Sequence, residues 1–299
     1  MNLKKRIPKI VSSAGLVSTI FLMMPKIVVA LPGSEVSKIA EQITVLIDGQ
    51  NPGSGVIIGR KEKSYYVLTA KHVVETQDEY TVQTSDGSRY QLNYSTVKKL
   101  PNVDLAVLQF TSNKNYNVAK LADSDQVGVG VSVYIAGFPN PGREITQRIY
   151  QFTNGEVSGR PKPALRDGYA IVYTNVTRAG MSGGPVLDAN GRVVGIHGRA
   201  ESESVPTNES GTSVSKLGFN LGIPINTFLN LANKVGVNLG VQAEKSPVVT
   251  QTKPPTTVSS PVSEPSSTPS FSPGTIPRRP TPIRPTNLPQ APVCAGSKC

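Results

Sequence analysis

The sequence predicts an all-β fold, and two observations carry that expectation. Short segments rich in Val, Ile, Tyr and Thr follow one another with turn residues about every 8–12 positions, and almost no interior helical periodicity interrupts them. The segments also fall into two sets, separated near residues 121–130, which favours a pair of barrels over one sandwich.

Each element follows from local pattern. Val36, Ile39, Ala40 and Ile43 recur at helical spacing, so a short helix is expected over Glu35–Gln42. The first set of strands is Ile43–Ile47, Gly55–Ile58, Tyr65–Thr69, Tyr80–Thr84 and Val103–Phe110. Asp48-Gly49, Asn51-Pro52-Gly53 and Asp86-Gly87 supply turns between them. The second set is Val131–Ala136, Ile145–Phe152, Glu156–Ser158, Tyr169–Thr174, Gly184–Leu187, Val193–His197 and Phe219–Ile223. Asp188-Ala189-Asn190-Gly191 is a hairpin signal inside that set. Pro224-Ile225-Asn226 opens a terminal helix expected over about 225–235, with Ile225, Phe228, Leu229 and Ala232 on one face and Gly236 beyond its end.

The two ends of the chain differ from its middle. A basic start, an apolar run from about Ile10 to Met24 and the small-residue stretch Val28-Val29-Ala30 have the layout of a secretory signal, with removal expected after Ala30. Retention as a membrane anchor is the alternative, and Pro25-Lys26 interrupts the apolar run early. No other segment approaches the ~20 apolar residues that span a bilayer, so no membrane span is expected after signal removal. From about Ser246 the chain holds 13 of the 25 prolines, many Ser and Thr, and a single Phe. Such a composition buries too little apolar surface to offset its ordering entropy, so a disordered tail is expected. The expected organisation is therefore a signal over 1–30, a folded domain over 31–242 and a tail over 243–299. The folded part is long enough for two small barrels, about 43–120 and about 121–223.

The net charge of +11 belongs mostly to the ends, leaving about +2 in the middle. A nucleic-acid-binding core therefore has no support, although the basic end of the tail suits contact with an anionic surface or cell wall. Cys294 and Cys299 are the only cysteines, and no histidine lies near them, which argues against zinc. They can close a small loop or pair with another chain. No cofactor constellation is visible.

Arg178-Ala179-Gly180-Met181-Ser182-Gly183-Gly184-Pro185 is the segment richest in chemistry. Its glycines allow backbone angles other residues resist, so the amides of Gly180 and Ser182 can converge as an oxyanion hole beside the Ser182 hydroxyl. A serine needs a base to take its proton, and the base needs an orienter. His72, at the end of the apolar strand before it, is the candidate base. Asp104, within Val103-Asp104-Leu105-Ala106-Val107-Leu108, is the candidate orienter, because an acid in apolar sequence is costly without a partner. Gly180-Met181-Ser182-Gly183-Gly184 also fits a G-x-S-x-G elbow, but that fold needs alternating strands and helices, which are missing here.

Thr69-Ala70-Lys71-His72, Val103-Asp104-Leu105-Ala106-Val107-Leu108 and Gly180-Met181-Ser182-Gly183-Gly184-Pro185 resemble, in order, the three signatures of trypsin-like (chymotrypsin-fold) serine proteases. The resemblance spans about Ile43 to Ile225. It implies two six-stranded antiparallel β-barrels, to which the C-terminal helix is added, and an endopeptidase acting on protein or peptide substrates, which the signal layout makes secreted or periplasmic. It also implies His72 as base, Asp104 as orienter and Ser182 as nucleophile. Met181 stands where digestive trypsins carry an acid that pairs with a new N-terminus, so activity without internal processing is expected.

Two closer similarities refine this. Gly195-Ile196-His197, with Thr177 five residues before Ser182, is similar to the S1 elements of glutamyl endopeptidases. That likeness implies an S1 pocket of Thr177, His197, Gly198 and Arg199 and cleavage after Glu or Asp. Gly53-Ser54-Gly55-Val56-Ile57 and the preceding helix resemble HtrA-type proteases, whose PDZ domain is not expected here because Pro/Ser/Thr-rich chain follows Gly240. The alternative reading is a catalytically silent binding module of the same fold.

Overall fold

A computed structural model of the chain describes residues 30–206 and 212–247. The expected signal up to residue 29, the tail from residue 248, and Cys294 and Cys299 lie outside the described residues.

Among the described residues the first element is helix α1 (Gly33–Ile43), which buries Val36, Ala40 and Ile43, and two β systems follow it. The first contains β1 (Thr44–Asp48), β2 (Gly53–Lys61), β3 (Ser64–Thr69), β4 (Thr81–Gln83), β5 (Arg89–Gln91), β6 (Lys98–Lys99) and β7 (Ala106–Thr111). Its order is β5-β4-β1-β2-β3-β7-β6, antiparallel throughout. The gap between β5 and β7 is bridged by side chains: Tyr90 stacks on Phe110 at 4.8 Å and its hydroxyl meets Ser112 Oγ at 2.9 Å.

The second system contains β8 (Leu121–Ala122), β9 (Ser132–Gly137), β10 (Gln151–Gly159), β11 (Ile171–Tyr173), β12 (Pro185–Leu187), β13 (Val193–Pro206), β14 (Thr212–Pro224) and β15 (Ala243–Glu244). Its order is β12-β9-β10-β11-β14-β13-β8-β15, and β12 also pairs with β13. That extra ladder closes six strands into a ring, with β8 and β15 added in parallel outside it. Helix α2 (Ile225–Leu231) and a 3₁₀ turn, Ala232–Val235, follow β14.

The all-β, two-barrel expectation holds, with differences of detail. The first sheet has seven strands rather than six because the two-residue β6 is added at its edge. Residues 103–105, expected in strand, are irregular instead, and the amide of Asp104 bonds the carbonyl of Asp167. Ile145 to Tyr150, also expected in strand, is irregular. Its apolar side chains Ile145 and Ile149 are 40% and 46% exposed, so their alternation marks no buried face. Ala243–Glu244, expected at the start of the tail, instead pair with β8.

Strand alternation sorts the core into three clusters. Ala106, Leu108 and Phe110 of β7 fill the first barrel with Val45, Ile47 and Tyr65. Ile135, Ile171, Tyr173 and Met181 fill the second. Between them, Val56, Leu105, Val107, Tyr134, Tyr169 and Ile196 belong to a cluster shared by both barrels and both helices. The candidate site sits on this seam.

Candidate active site

His72 is carried by a single 3₁₀ turn, Lys71–Val74, directly after β3. Val73 and Val74 anchor that turn in the first barrel, leaving the imidazole half-exposed. The turn is tied to the loop before β7: the Lys71 amide donates to the Asp104 carbonyl at 3.2 Å. The Asp104 carboxylate, 3% exposed, answers with Oδ1 accepting the His72 amide at 2.9 Å and Oδ2 lying 2.7 Å from His72 Nδ1. Burial works against a charge at Asp104, but the bonds from His72 and Tyr169 outweigh it and hold the carboxyl below its ordinary value. An ionised Asp104 accepts from Nδ1–H, which leaves Nε2 with the lone pair a general base needs.

Ser182 lies in the turn before β12. The Met181 amide donates to the Arg178 carbonyl at 3.1 Å, and Gly180 sits at φ +94°, so this position needs glycine. Space selects glycine as well. A Cβ on Gly183 would lie 2.1 Å from both the Ser54 carbonyl oxygen and Thr69 Oγ1, and one on Gly184 would lie 2.1 Å from the Ala136 carbonyl oxygen. Ser54 braces the same turn: its hydroxyl donates to the Gly180 carbonyl at 2.9 Å and accepts from the Phe138 amide at 2.9 Å. The amides of Gly180 and Ser182 make no backbone bond among the described residues. The Ser182 hydroxyl points across the cleft floor and donates to the Gly198 carbonyl at 2.7 Å.

His72 and Ser182 line one cleft of about 330 Å³, together with Thr177, Arg178, His197 and Arg199. His197 is 2% exposed, and its Nδ1 lies 2.7 Å from the Tyr173 hydroxyl. Thr177 Oγ1 donates to Asn220 Oδ1, and Asn220 Nδ2 donates to the Asn175 carbonyl at 2.5 Å. The Arg199 guanidinium lies over the Tyr169 ring at 4.5 Å, bonds Asp167 at 2.9 Å and comes within 3.7 Å of Asp104. The structure thus gathers His72, Asp104, Ser182, Gly180, Thr177, His197, Gly198 and Arg199 around one seam. Sequence reasoning missed Ser54, Tyr169, Tyr173 and Asn220. Ser54 alone left a signal, in the glycine pair that flanks it.

Among the described residues no group of His, Cys, Asp and Glu is arranged to hold a metal ion, and no helix is long and apolar enough to cross a membrane.

Residues 53–196 match the family model described as trypsin-like peptidase domain. A probable periplasmic serine endoprotease, DegP-like, from Pseudomonas putida (strain W619) is 33% identical over 190 residues, 63% of this chain and 35% of that protein. The serine protease Do-like HtrA of Lactococcus lactis subsp. lactis (strain IL1403) is 30% identical over 187 residues, 61% of this chain and 44% of that protein. The chain thus spans less than half the length of these curated relatives. A solved structure of the HtrA-type protease AlgW with tripeptide is alike in fold, with a TM-score of 0.52 at 23% identity, covering 70% of this chain and 65% of that one. Residues 53–196 are thus similar to the trypsin-like peptidase domain, and the two relatives named are bacterial serine proteases of the DegP and HtrA kinds.

Proposed function

We propose that this chain is a serine endopeptidase that hydrolyses peptide bonds through an acyl-enzyme. The observation that carries the reading is the buried Asp104 carboxylate 2.7 Å from His72 Nδ1, beside a cleft that Ser182 also lines. In this mechanism Ser182 turns from Gly198 towards His72, a side-chain rotation on the ps–ns scale. His72 Nε2 takes the hydroxyl proton as Oγ attacks the scissile carbonyl, then returns it to the leaving amine. The amides of Gly180 and Ser182 receive the developing oxyanion. Water repeats the cycle on the acyl-enzyme. Met181 is fully buried in the second barrel's core, which supports activity without a newly cut N-terminus pairing at that position.

The reading extends to substrate preference. Among the described residues no carboxylate lines the cleft, whereas Arg178, Arg199 and His197 do. The N–H groups of His197, Arg178 and Arg199 are donors of the kind that a P1 carboxylate needs, so cleavage after Glu or Asp is expected. Relatives named as periplasmic endoproteases support export, with residues 1–30 as the signal and 31–242 as the protease domain.

Fluorophosphonate labelling tests the enzyme reading: one adduct per chain, at Ser182, is expected. Failure to label a folded chain that also hydrolyses no protein substrate would leave a silent binding module instead. A peptide library then reads P1, where preference for Arg, Lys or Leu overturns the acidic assignment.

A further inference from the structure

The carbonyl that holds Ser182 belongs to a glycine whose φ lies outside the left-handed region, so conformation does not explain why position 198 lacks a side chain. Space does. A Cβ on Gly198 would lie 2.1 Å from the Tyr169 hydroxyl oxygen, 2.2 Å from Cε1 and 2.5 Å from Cζ. The phenol fills the place where a side chain at 198 would stand, and from there its hydroxyl donates to Asp104 Oδ2 at 2.5 Å.

Tyr169 is itself held on several sides. The guanidinium of Arg199 covers its ring at 4.5 Å and bonds Asp167 at 2.9 Å. Asp167 adopts φ +62° and its carbonyl accepts the Asp104 amide at 2.9 Å, so the circuit returns to the residue where it began. Gly168 closes the same turn at φ +84°, where a Cβ would lie 2.7 Å from Val103. Burial, followed by the charge of Asp104, pushes the phenol's pKa up and keeps it protonated as a donor.

A carboxylate touched only by the two groups of His72 could still swing about its terminal torsion, which is broad for Asp. A third donor, from a different element, fixes its plane. Resting on the endopeptidase reading, we propose that Tyr169 is a positioning residue. Its hydroxyl locks the Asp104 carboxylate that orients His72, and Gly198 is the vacancy that admits it.

The test uses the full chain. Tyr169→Phe removes only the hydroxyl and is expected to lower kcat about tenfold to a hundredfold, the loss of one bond to a charged group, with KM within about twofold. The far-downfield proton resonance of His72 Nδ1–H should move in the same variant, which reports the carboxylate without requiring turnover. Space exchange is the second arm. Gly198→Ser alone should abolish labelling by steric conflict, whereas Tyr169→Val with Gly198→Ser places a new hydroxyl beside Asp104 and should exceed Tyr169→Val alone at least several-fold. Active wild type with unchanged kcat in Tyr169→Phe overturns the proposal. If the wild type neither labels nor cleaves, the endopeptidase reading has failed instead. An Nδ1–H resonance identical in wild type and Tyr169→Phe would then dispose of the Tyr169 claim separately.

Discussion

The Ser182 hydroxyl donates to the Gly198 carbonyl oxygen 2.7 Å away. The side chain therefore contributes one hydrogen bond and little packing. Ser182→Ala should change stability by only about 0.5–1.5 kcal/mol, while hydrolysis and fluorophosphonate labelling fall to background. Thermal melting and labelling on the same sample measure both. Retained hydrolysis would exclude Ser182 as the nucleophile.

Ser54 is a different case, because its hydroxyl is fully buried and bridges two backbone groups of separate loops. Ser54→Ala leaves the Phe138 amide and the Gly180 carbonyl without their partner. The expected cost is about 2 kcal/mol or more, from two buried polar groups left unsatisfied. The turn that aims the Gly180 amide also loses its brace, so kcat should fall about tenfold or more with KM little changed. Urea unfolding and steady-state kinetics separate the two effects, and an unaltered kcat would show that Ser54 does not support the oxyanion site.

Two glycines with similar angles make a controlled comparison. Gly183 has φ +87° and no room for a Cβ, whereas Gly236 has φ +75° and nothing within 4 Å. Alanine at 236 should cost about 1 kcal/mol from conformation alone. Alanine at 183 adds overlap with backbone and Thr69, and should cost more than about 4 kcal/mol or prevent folding. Equal melting temperatures for the two variants would refute the steric account.

The relation of pattern to structure follows the range of the interactions. The β2 segment around Val56–Ile58 and the β9 segment around Val133–Ala136 were legible because a short run of β-branched, aromatic and other apolar residues between turn residues is a local signal, as was the 188–191 hairpin. His72, Asp104 and Ser182 stood out because each places a chemically demanding group in an unfavourable or glycine-rich context. Tyr169 did not, since its bond to Asp104 spans 65 positions and its surroundings read as an ordinary strand start. Nothing local announces that the absence of a side chain at Gly198 makes room for a phenol. Ile145 and Ile149 misled for the converse reason: their spacing is regular but no core lies beneath them.

Acid should weaken the fold through Asp104. Its carboxyl is held below the ordinary value in the folded chain, so its stabilisation is complete above about pH 4 and is lost as pH falls through the depressed folded value. Tyr169 acts at the other end: its raised pKa stabilises the fold below about pH 10 and is lost as pH rises beyond that. Urea unfolding across pH should therefore show a shallower acid slope in Asp104→Asn and a shallower alkaline slope in Tyr169→Phe. Slopes matching the wild type would mean these groups do not set the profile.

Arg192, in the turn between β12 and β13, is not among the residues that line the cleft. It is 4% exposed and pairs with the fully buried Asp188 through Nε at 2.9 Å and Nη2 at 2.7 Å. Its remaining donors reach the carbonyls of Ser246 and Pro247 at 3.1 and 3.0 Å, and Glu244 lies 3.6 Å away. Arg192→Leu strands the Asp188 charge in the interior and should cost about 3–5 kcal/mol, the penalty of breaking one half of a buried pair. It also unfastens the segment that carries β15, so amide exchange at Ala243 and Glu244 should accelerate more than exchange in β9. Asp188→Asn with Arg192→Leu removes the stranded charge and should restore part of the stability without restoring protection of β15. If β15 stays protected in Arg192→Leu, its hold comes from the β8 ladder and not from the arginine.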